Sequence, residues 1–200
     1  MLKIYHVPGT RSVRPIWLCH ELDLQVQVET IDFSPTFRGS PAWRAISPAG
    51  KVPVMSDGEV TMFESGAMVD HILERYGEGR LRPAPGTALS ALHHQWCWFS
   101  EATLIRPLGL NRLLTHRAEG QDAVAADAEQ KTRDSLAVVE QALADRVYLL
   151  GAEFGACDIM MGYSLALLAD LKVLDDRYPS ALAYLERLRR RPAFGRAMSA

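Results

Sequence analysis

The chain has 200 residues, 48% of them hydrophobic, with a formal net charge of −2. That length builds one large domain or two small ones around a sizeable core, and the near-neutral balance gives no electrostatic case for nucleic acid or a membrane surface as partner. Three cysteines, an odd number with no CxxC pair, fit reduced thiols in a cytoplasmic protein better than a disulfide framework. No apolar run approaches the roughly 18–20 residues that span a bilayer, and the start MLKIYHVPG lacks the long apolar core of a signal peptide.

In chain order, Leu2 to His6 reads as a strand and Val7-Pro8-Gly9 as its exit turn. Ser12 to Leu22 reads as a helix, with Val13, Ile16 and Trp17 on one face. A second strand covers Val26 to Phe33, and a short irregular helix falls around Pro41 to Ala45. Val52 to Ser56 and Val60 to Phe63 form a hairpin around Asp57-Gly58, a strong turn signal. Ser65 to Tyr76 is a helix with Val69, Ile72, Leu73 and Tyr76 inward. The order βαβ(α)ββα fits a small α/β sheet whose first two strands run parallel.

Residues 77–86, GEGRLRPAPG, have no apolar period and read as a linker. Beyond them the patterns are helical throughout: 87–108, 121–145, 156–171 and 180–190, with a break at 115–120. The fold class is therefore α/β plus all-α, with an α/β domain at 1–78 and a helical bundle at 87–200.

Two stretches carry chemistry. Pro53 stands between Val52 and Val54, where a strand begins; proline belongs at a strand's start because it has no N–H for the ladder. The residue before it can then turn its own main chain toward a ligand. Glu64-Ser65 closes the next strand and opens a helix, whose free N–H groups and serine hydroxyl suit a carboxylate. An extended main-chain clamp beside a carboxylate pocket suits a small acidic peptide.

The whole chain resembles the cytosolic glutathione transferases. The stretches that carry the resemblance are Tyr5-His6-Val7-Pro8-Gly9 to Arg14, Ser47-Pro48-Ala49-Gly50-Lys51-Val52-Pro53-Val54 and Glu64-Ser65-Gly66-Ala67. Gly155-Ala156-Cys157-Asp158-Ile159 and Arg191-Pro192-Ala193-Phe194 add support. The resemblance implies a thioredoxin-like first domain that binds glutathione and a helical second domain on the electrophile side. It also implies that Val52-Pro53 is cis, that Val52 pairs its main chain with the cysteinyl part of glutathione, and that Lys51 meets the glycine end. Glu64 and Ser65 would hold the γ-glutamyl group, and Glu101 would reach its ammonium across the contact of a homodimer.

The implied reaction is attack of the glutathione thiolate on a small hydrophobic electrophile, without a metal. The family places a Tyr, Ser or Cys after the first strand, and serine-type members set the serine four residues before an arginine. Thr10 stands four before Arg14 and matches that position, with Ser12 its rival and Arg11 a nearby cation. Thr10 or Ser12 as a plain cap of the first helix is the competing account. The alternatives in function are glutathione-dependent peroxidase or reductase chemistry, and a non-catalytic glutathione-binding regulator.

Other residues read as structural. Cys19, deep in the first helix, and Cys157 belong to packing. His93 and Cys97, four apart on one helix, make two ligands without a third. Trp96, Trp98 and Phe99 form an aromatic packing cluster. Gly155 stands where a capping box would place Ser or Thr, so Asp158 compensates the helix start without a side-chain cap. The arginines at 187 and 189–191 read as a solvated face.

Overall fold

The computed structural model describes residues 1–107 and 122–200. The expected break at 115–120 lies outside the described residues. In chain order the elements are β1 (Leu2–His6), α1 (Val13–Glu21), β2 (Val26–Thr30), α2 (Pro35–Gly39), α3 (Pro41–Ile46), β3 (Val54–Asp57), β4 (Val60–Phe63) and α4 (Ser65–Tyr76). They continue with α5 (Ala88–Trp98), a π-helical turn (Phe99–Leu104), α6 (Asp122–Leu143), α7 (Ala156–Asp170), α8 (Pro179–Arg189) and α9 (Pro192–Met198). Contacts gather them into two units, residues 1–81 with 189–200, and residues 82–188. The terminal stretch 189–200, drawn with the helical half from sequence, thus groups with the first unit.

The first unit is built on a four-stranded sheet in the order β2-β1-β3-β4. β1 and β2 run parallel, from Leu2↔Val26 to His6↔Thr30. β1 and β3 are antiparallel, as are β3 and β4. Leu2, Ile4 and His6 alternate inward along β1, and all three are buried. α1 buries Val13, Ile16, Trp17 and Leu18, while α4 buries Met68, Val69, Ile72 and Leu73. Each such side chain contributes roughly 1.5–3 kcal/mol on leaving water.

Several boundaries differ from the sequence reading; β3, for one, opens at Val54 rather than Val52. β2 ends at Thr30 because capping chemistry follows at once. Asp32 accepts the Ser34 N–H at 2.8 Å, and Ser34 Oγ accepts the Phe37 N–H at 3.2 Å, opening α2 with Pro35 in its first turn. Ser40-Pro41 repeats the device at α3. The hairpin loop is Gly58-Glu59, since Asp57 pairs with Val60; Gly58 takes φ +62°, which a primed turn asks of its first central residue. Buried Asp57 then ties the hairpin to α4, accepting from His71 Nε2 at 2.9 Å and Tyr76 OH at 2.7 Å. Burial pushes this carboxyl up, but those bonds and the Arg75 charge outweigh it and hold the group below its ordinary range.

α9 docks on α1. The Phe194 ring meets Trp17 edge-on at 4.9 Å between centroids, and the Arg191 guanidinium bonds both Glu21 carboxylate oxygens at 2.7 Å.

In the second unit, Thr87 caps α5 through the Ser90 N–H. The helix read as continuous from 87 instead passes into the π turn. There Ser164 Oγ on α7 lies 3.2 Å from both Ser100 O and its own helix's Met160 O, sharing its one hydrogen between them. α7 is apolar on nearly every side and is the buried centre of this unit. Glu140 on α6 accepts from the Ser180 and Ala181 N–H groups, both at 2.9 Å, and so caps α8 from a neighbouring helix. None of the described helices is long and apolar enough to cross a membrane.

Candidate functional site

The sheet register explains why three distant stretches of sequence converge. Tyr5 pairs with Val54, and Val54 with Phe63. The end of β1, the start of β3 and the end of β4 therefore lie side by side. The β1–α1 loop, Val52-Pro53 and Glu64-Ser65 all leave from that one end of the sheet. Loops at the carboxyl end of a strand in such a sheet are a usual place for ligands.

The β1–α1 loop turns sharply at Gly9, whose φ is +73°. The Thr10 N–H bonds Val7 O at 3.2 Å, and Thr10 Oγ1 donates to the same oxygen at 2.8 Å. Thr10 Oγ1 lies 2.7 Å from Ser12 Oγ, so the two rival hydroxyls are partners. Ser12 precedes α1 but makes no side-chain cap bond to it. Its hydroxyl faces His6 Nδ1 at 2.8 Å. Capping is thus not what occupies Ser12. Thr10 and Arg11 are half-buried, while Ser12 is fully buried.

The loop before β3 is braced internally. Buried Ser47 donates to Lys51 O at 2.8 Å and accepts the Lys51 N–H at 3.0 Å. Gly50 is required here: its φ is +63°, and a Cβ would come within 2.8 Å of the Arg44 guanidinium. The Lys51 side chain is exposed, Val52 half-buried and Pro53 buried. The Val52-Pro53 bond is cis.

Glu64 holds φ +76°, a left-handed conformation uncommon outside glycine, and its side chain does not cap α4. Such an outlier at a helix start motivates a functional reading. Ser65 is 4% exposed, and its Oγ accepts from Arg14 Nη1 at 3.2 Å. Because arginine only donates, the Ser65 hydrogen is left to be given to an acceptor. The α4 dipole and the buried Arg14 cation both favour an anion at that acceptor position. This donor set fits a carboxylate.

Glu101 lies in the second unit, in the π turn, and is half-buried. Cys19 and Cys157 are buried, and burial pushes the Cys19 thiol up to about 12, so both are packing groups rather than nucleophiles. Cys97 Sγ is 3.7 Å from His93 Nε2, and burial drives that imidazole down to about 4.

Sequence reasoning missed His6 and Arg14 as members of this cluster. His6 had a signal: a histidine occupying the inward slot of the alternation Leu2, Ile4, His6 is a polar group in a core position and needs partners. Arg14 served only as a spacing mark, although an arginine on the inward face of a helix demands an acceptor.

The chain matches two family models, described as glutathione S-transferase, N-terminal domain, over residues 4–80, and glutathione S-transferase, C-terminal domain, over residues 122–187. It is similar to "Glutathione S-transferase 3" of Schizosaccharomyces pombe, 26% identical over 82% of this chain and 73% of that one. It is also similar to "Disulfide-bond oxidoreductase YfcG" of Escherichia coli, 25% identical over 99% of this chain and 94% of that one. Among solved structures, the glutathione transferase URE2P6 from Phanerochaete chrysosporium, in complex with oxidized glutathione, aligns with a TM-score of 0.90 at 19% identity. That alignment covers 99% of this chain and 94% of the other. The fold is a thioredoxin-like N-terminal domain with a helical C-terminal domain.

Proposed function

The chain belongs to the glutathione S-transferase family, and we propose that it binds glutathione at the shared end of β1, β3 and β4 and activates its thiol toward a small hydrophobic electrophile. The observation that carries this reading is the convergence of a hydroxyl pair, a main-chain clamp and an anion-binding helix start on one sheet end. Thr10 turns its hydroxyl hydrogen from Val7 O to the developing thiolate, with Ser12 behind it and Arg11 adding positive charge. Val52 pairs its main chain with the cysteinyl part. Ser65 and the first turn of α4 take the γ-glutamyl carboxylate, with Glu64 toward the amino group. Lys51 meets the glycine carboxylate. A thiolate rather than a thiol is the nucleophile, so lowering the thiol pKa is the chemical task.

Ser65→Ala removes a donor to a charged group, a loss of roughly 1.5–3 kcal/mol, or about 10- to 100-fold in glutathione affinity. Glu64→Ala weakens binding in the same direction. Calorimetric titration checks both, and unchanged affinity in the two variants sinks the γ-glutamyl assignment.

The same reading makes the protein a cytoplasmic homodimer in which Glu101 of one subunit reaches the glutathione ammonium of the other. Light scattering that finds a stable monomer at micromolar concentration removes that role.

A second reading uses the same thiolate for disulfide or peroxide reduction. It is favoured by the similarity to the Escherichia coli protein whose name is that of a disulfide-bond oxidoreductase. Retention on glutathione resin, followed by parallel assays with an aryl halide, a peroxide and a small disulfide, separates the two. Retention without turnover in any assay points instead to a binding module.

A further inference from the structure

The hydrogen-bond chain behind Thr10 ends in a group that the reading above leaves unused. Thr10 Oγ1 is 2.7 Å from Ser12 Oγ, and Ser12 Oγ is 2.8 Å from His6 Nδ1. His6 Nε2 is 2.9 Å from the main-chain oxygen of Ala200. Both His6 and Ser12 are fully buried. We propose that His6, resting on the glutathione reading above, is the proton store of a relay from sulfur through Thr10 and Ser12 to its Nδ1.

The direction of the relay follows from donor and acceptor bookkeeping. The Ala200 oxygen can only accept, so Nε2 carries the hydrogen of a neutral imidazole. Nδ1 then offers a lone pair, and the Ser12 hydrogen goes to it. Ser12 Oγ, its one hydrogen committed, is left to accept from Thr10, whose single hydroxyl hydrogen is shared between Ser12 Oγ at 2.7 Å and Val7 O at 2.8 Å. Thr10 Oγ1, used here as a donor, keeps a lone pair for an incoming thiol. The row runs from sulfur toward His6 once the Thr10 hydrogen turns from Val7 O to Ser12 Oγ.

Transfer is a shift of three protons. The S–H bond breaks as Thr10 Oγ1 gains a hydrogen. The original Thr10 hydrogen moves to Ser12, and the Ser12 hydrogen moves to Nδ1. The products are a thiolate and an imidazolium, and no proton leaves for solvent. All three bonds persist with their polarity reversed: Nδ1–H donates to Ser12, Ser12 to Thr10, and Thr10 to the thiolate. The threonine therefore accepts from the thiol and donates to its anion without moving a heavy atom.

The surroundings suit an acceptor that starts empty. Burial lowers the His6 pKa, opposed by the Ala200 bond, so the ring is neutral before the ligand arrives. The negative charge formed on sulfur then favours the imidazolium. The charged groups on the elements packed around β1 are engaged as follows: Lys3 with Glu29, Arg14 with Ser65, Glu21 with Arg191, Asp57 with His71 and Arg75, and Arg196 with the His20 carbonyl.

His6 does not touch the reacting atoms, so it is a positioning residue with a proton-holding role. Nitrogen NMR of the full chain at neutral pH tests this, comparing glutathione with S-methylglutathione, which has no thiol proton to give. The expected result is an imidazolium signature at His6 with glutathione only, together with thiolate ultraviolet absorbance. His6→Asn keeps an acceptor for Ser12 where Nδ1 stood but cannot hold the proton. It should raise the bound thiol pKa by about one unit, about tenfold less thiolate at neutral pH, with little change in glutathione affinity. Thiolate absorbance beside a neutral His6 overturns the relay alone. No thiolate in the parent protein overturns the transferase reading and the relay with it.

Discussion

The Thr10→Val variant is expected to lose most turnover at neutral pH while still binding glutathione. Valine keeps the shape of threonine and removes the only hydrogen that position can give to sulfur. A hydrogen bond to a charged acceptor is worth roughly 1.5–3 kcal/mol. At about 1.4 kcal/mol per pKa unit, the bound thiol should rise by about one to two units toward the free value near 8.5. Turnover at neutral pH then falls by about 10- to 100-fold, because the thiolate fraction falls with it. The sign gives a second signature: as pH rises the thiol ionises unaided, so the defect shrinks. Thr10→Ser restores the hydroxyl and should recover much of the rate. A pH–rate profile of Thr10→Val that overlays the parent's refutes the role of Thr10, and a displaced profile for Ser12→Ala in its place moves the assignment two residues along.

The Asp158→Ala variant carries the largest expected cost in stability. The Asp158 carboxylate is fully buried at the start of α7. One oxygen accepts the Gly155 N–H at 2.8 Å. The other accepts the Leu149 N–H at 3.0 Å and the Tyr184 hydroxyl at 2.7 Å. A single side chain thus serves the helix start, the preceding loop and α8. Its half of a capping box is present; the reciprocal half is missing because Gly155 has no side chain to give it. Alanine leaves two buried N–H groups and a buried hydroxyl without their acceptor, at roughly 1–3 kcal/mol each. Partial relaxation brings the total to about 3–5 kcal/mol, within the range for breaking a buried polar network. Tyr184→Phe deletes one of the three bonds and should cost about 1 kcal/mol. Denaturant unfolding of the three proteins checks the order. Asp158→Ala melting with the parent would show that the network contributes nothing.

What was legible in the sequence followed from signals with a backbone cause. Asp57-Gly58 between two apolar runs marked the hairpin, and the structure moved the loop by one residue because Asp57 itself pairs with Val60. Proline between Val52 and Val54 marked the start of β3. α4 has the bounds read from its pattern, since its apolar face repeats cleanly from Val69 to Tyr76. α2 and α9 were not resolved as elements, being too short to show a helical period, though Ser34-Pro35 and Arg191-Pro192 place a proline in the first turn of each. The π turn has no mark in the apolar pattern, and the Ser164 hydroxyl beside its Ser100 carbonyl is remote in sequence.

The candidate site divides the same way. Thr10, Ser12, Val52, Glu64 and Ser65 stand out because motif spacing marks them. His6 and Arg14 do not, because their importance lies in what they touch. Arg14 meets Ser65 across 51 positions, and His6 meets Ala200 across 194. A side chain's partner at such separation is set by sheet register and helix docking, which a linear pattern does not encode.

The central claim is that glutathione binds at the shared end of β1, β3 and β4 with its sulfur at the hydroxyl pair. A crystal structure of the protein with glutathione tests it most directly. The account predicts the sulfur within hydrogen-bonding reach of Thr10 Oγ1, the cysteinyl main chain paired with Val52, and the γ-glutamyl carboxylate on Ser65 and the first turn of α4. Glutathione bound with its sulfur directed away from residues 10–12, or its γ-glutamyl group away from Ser65, would contradict it.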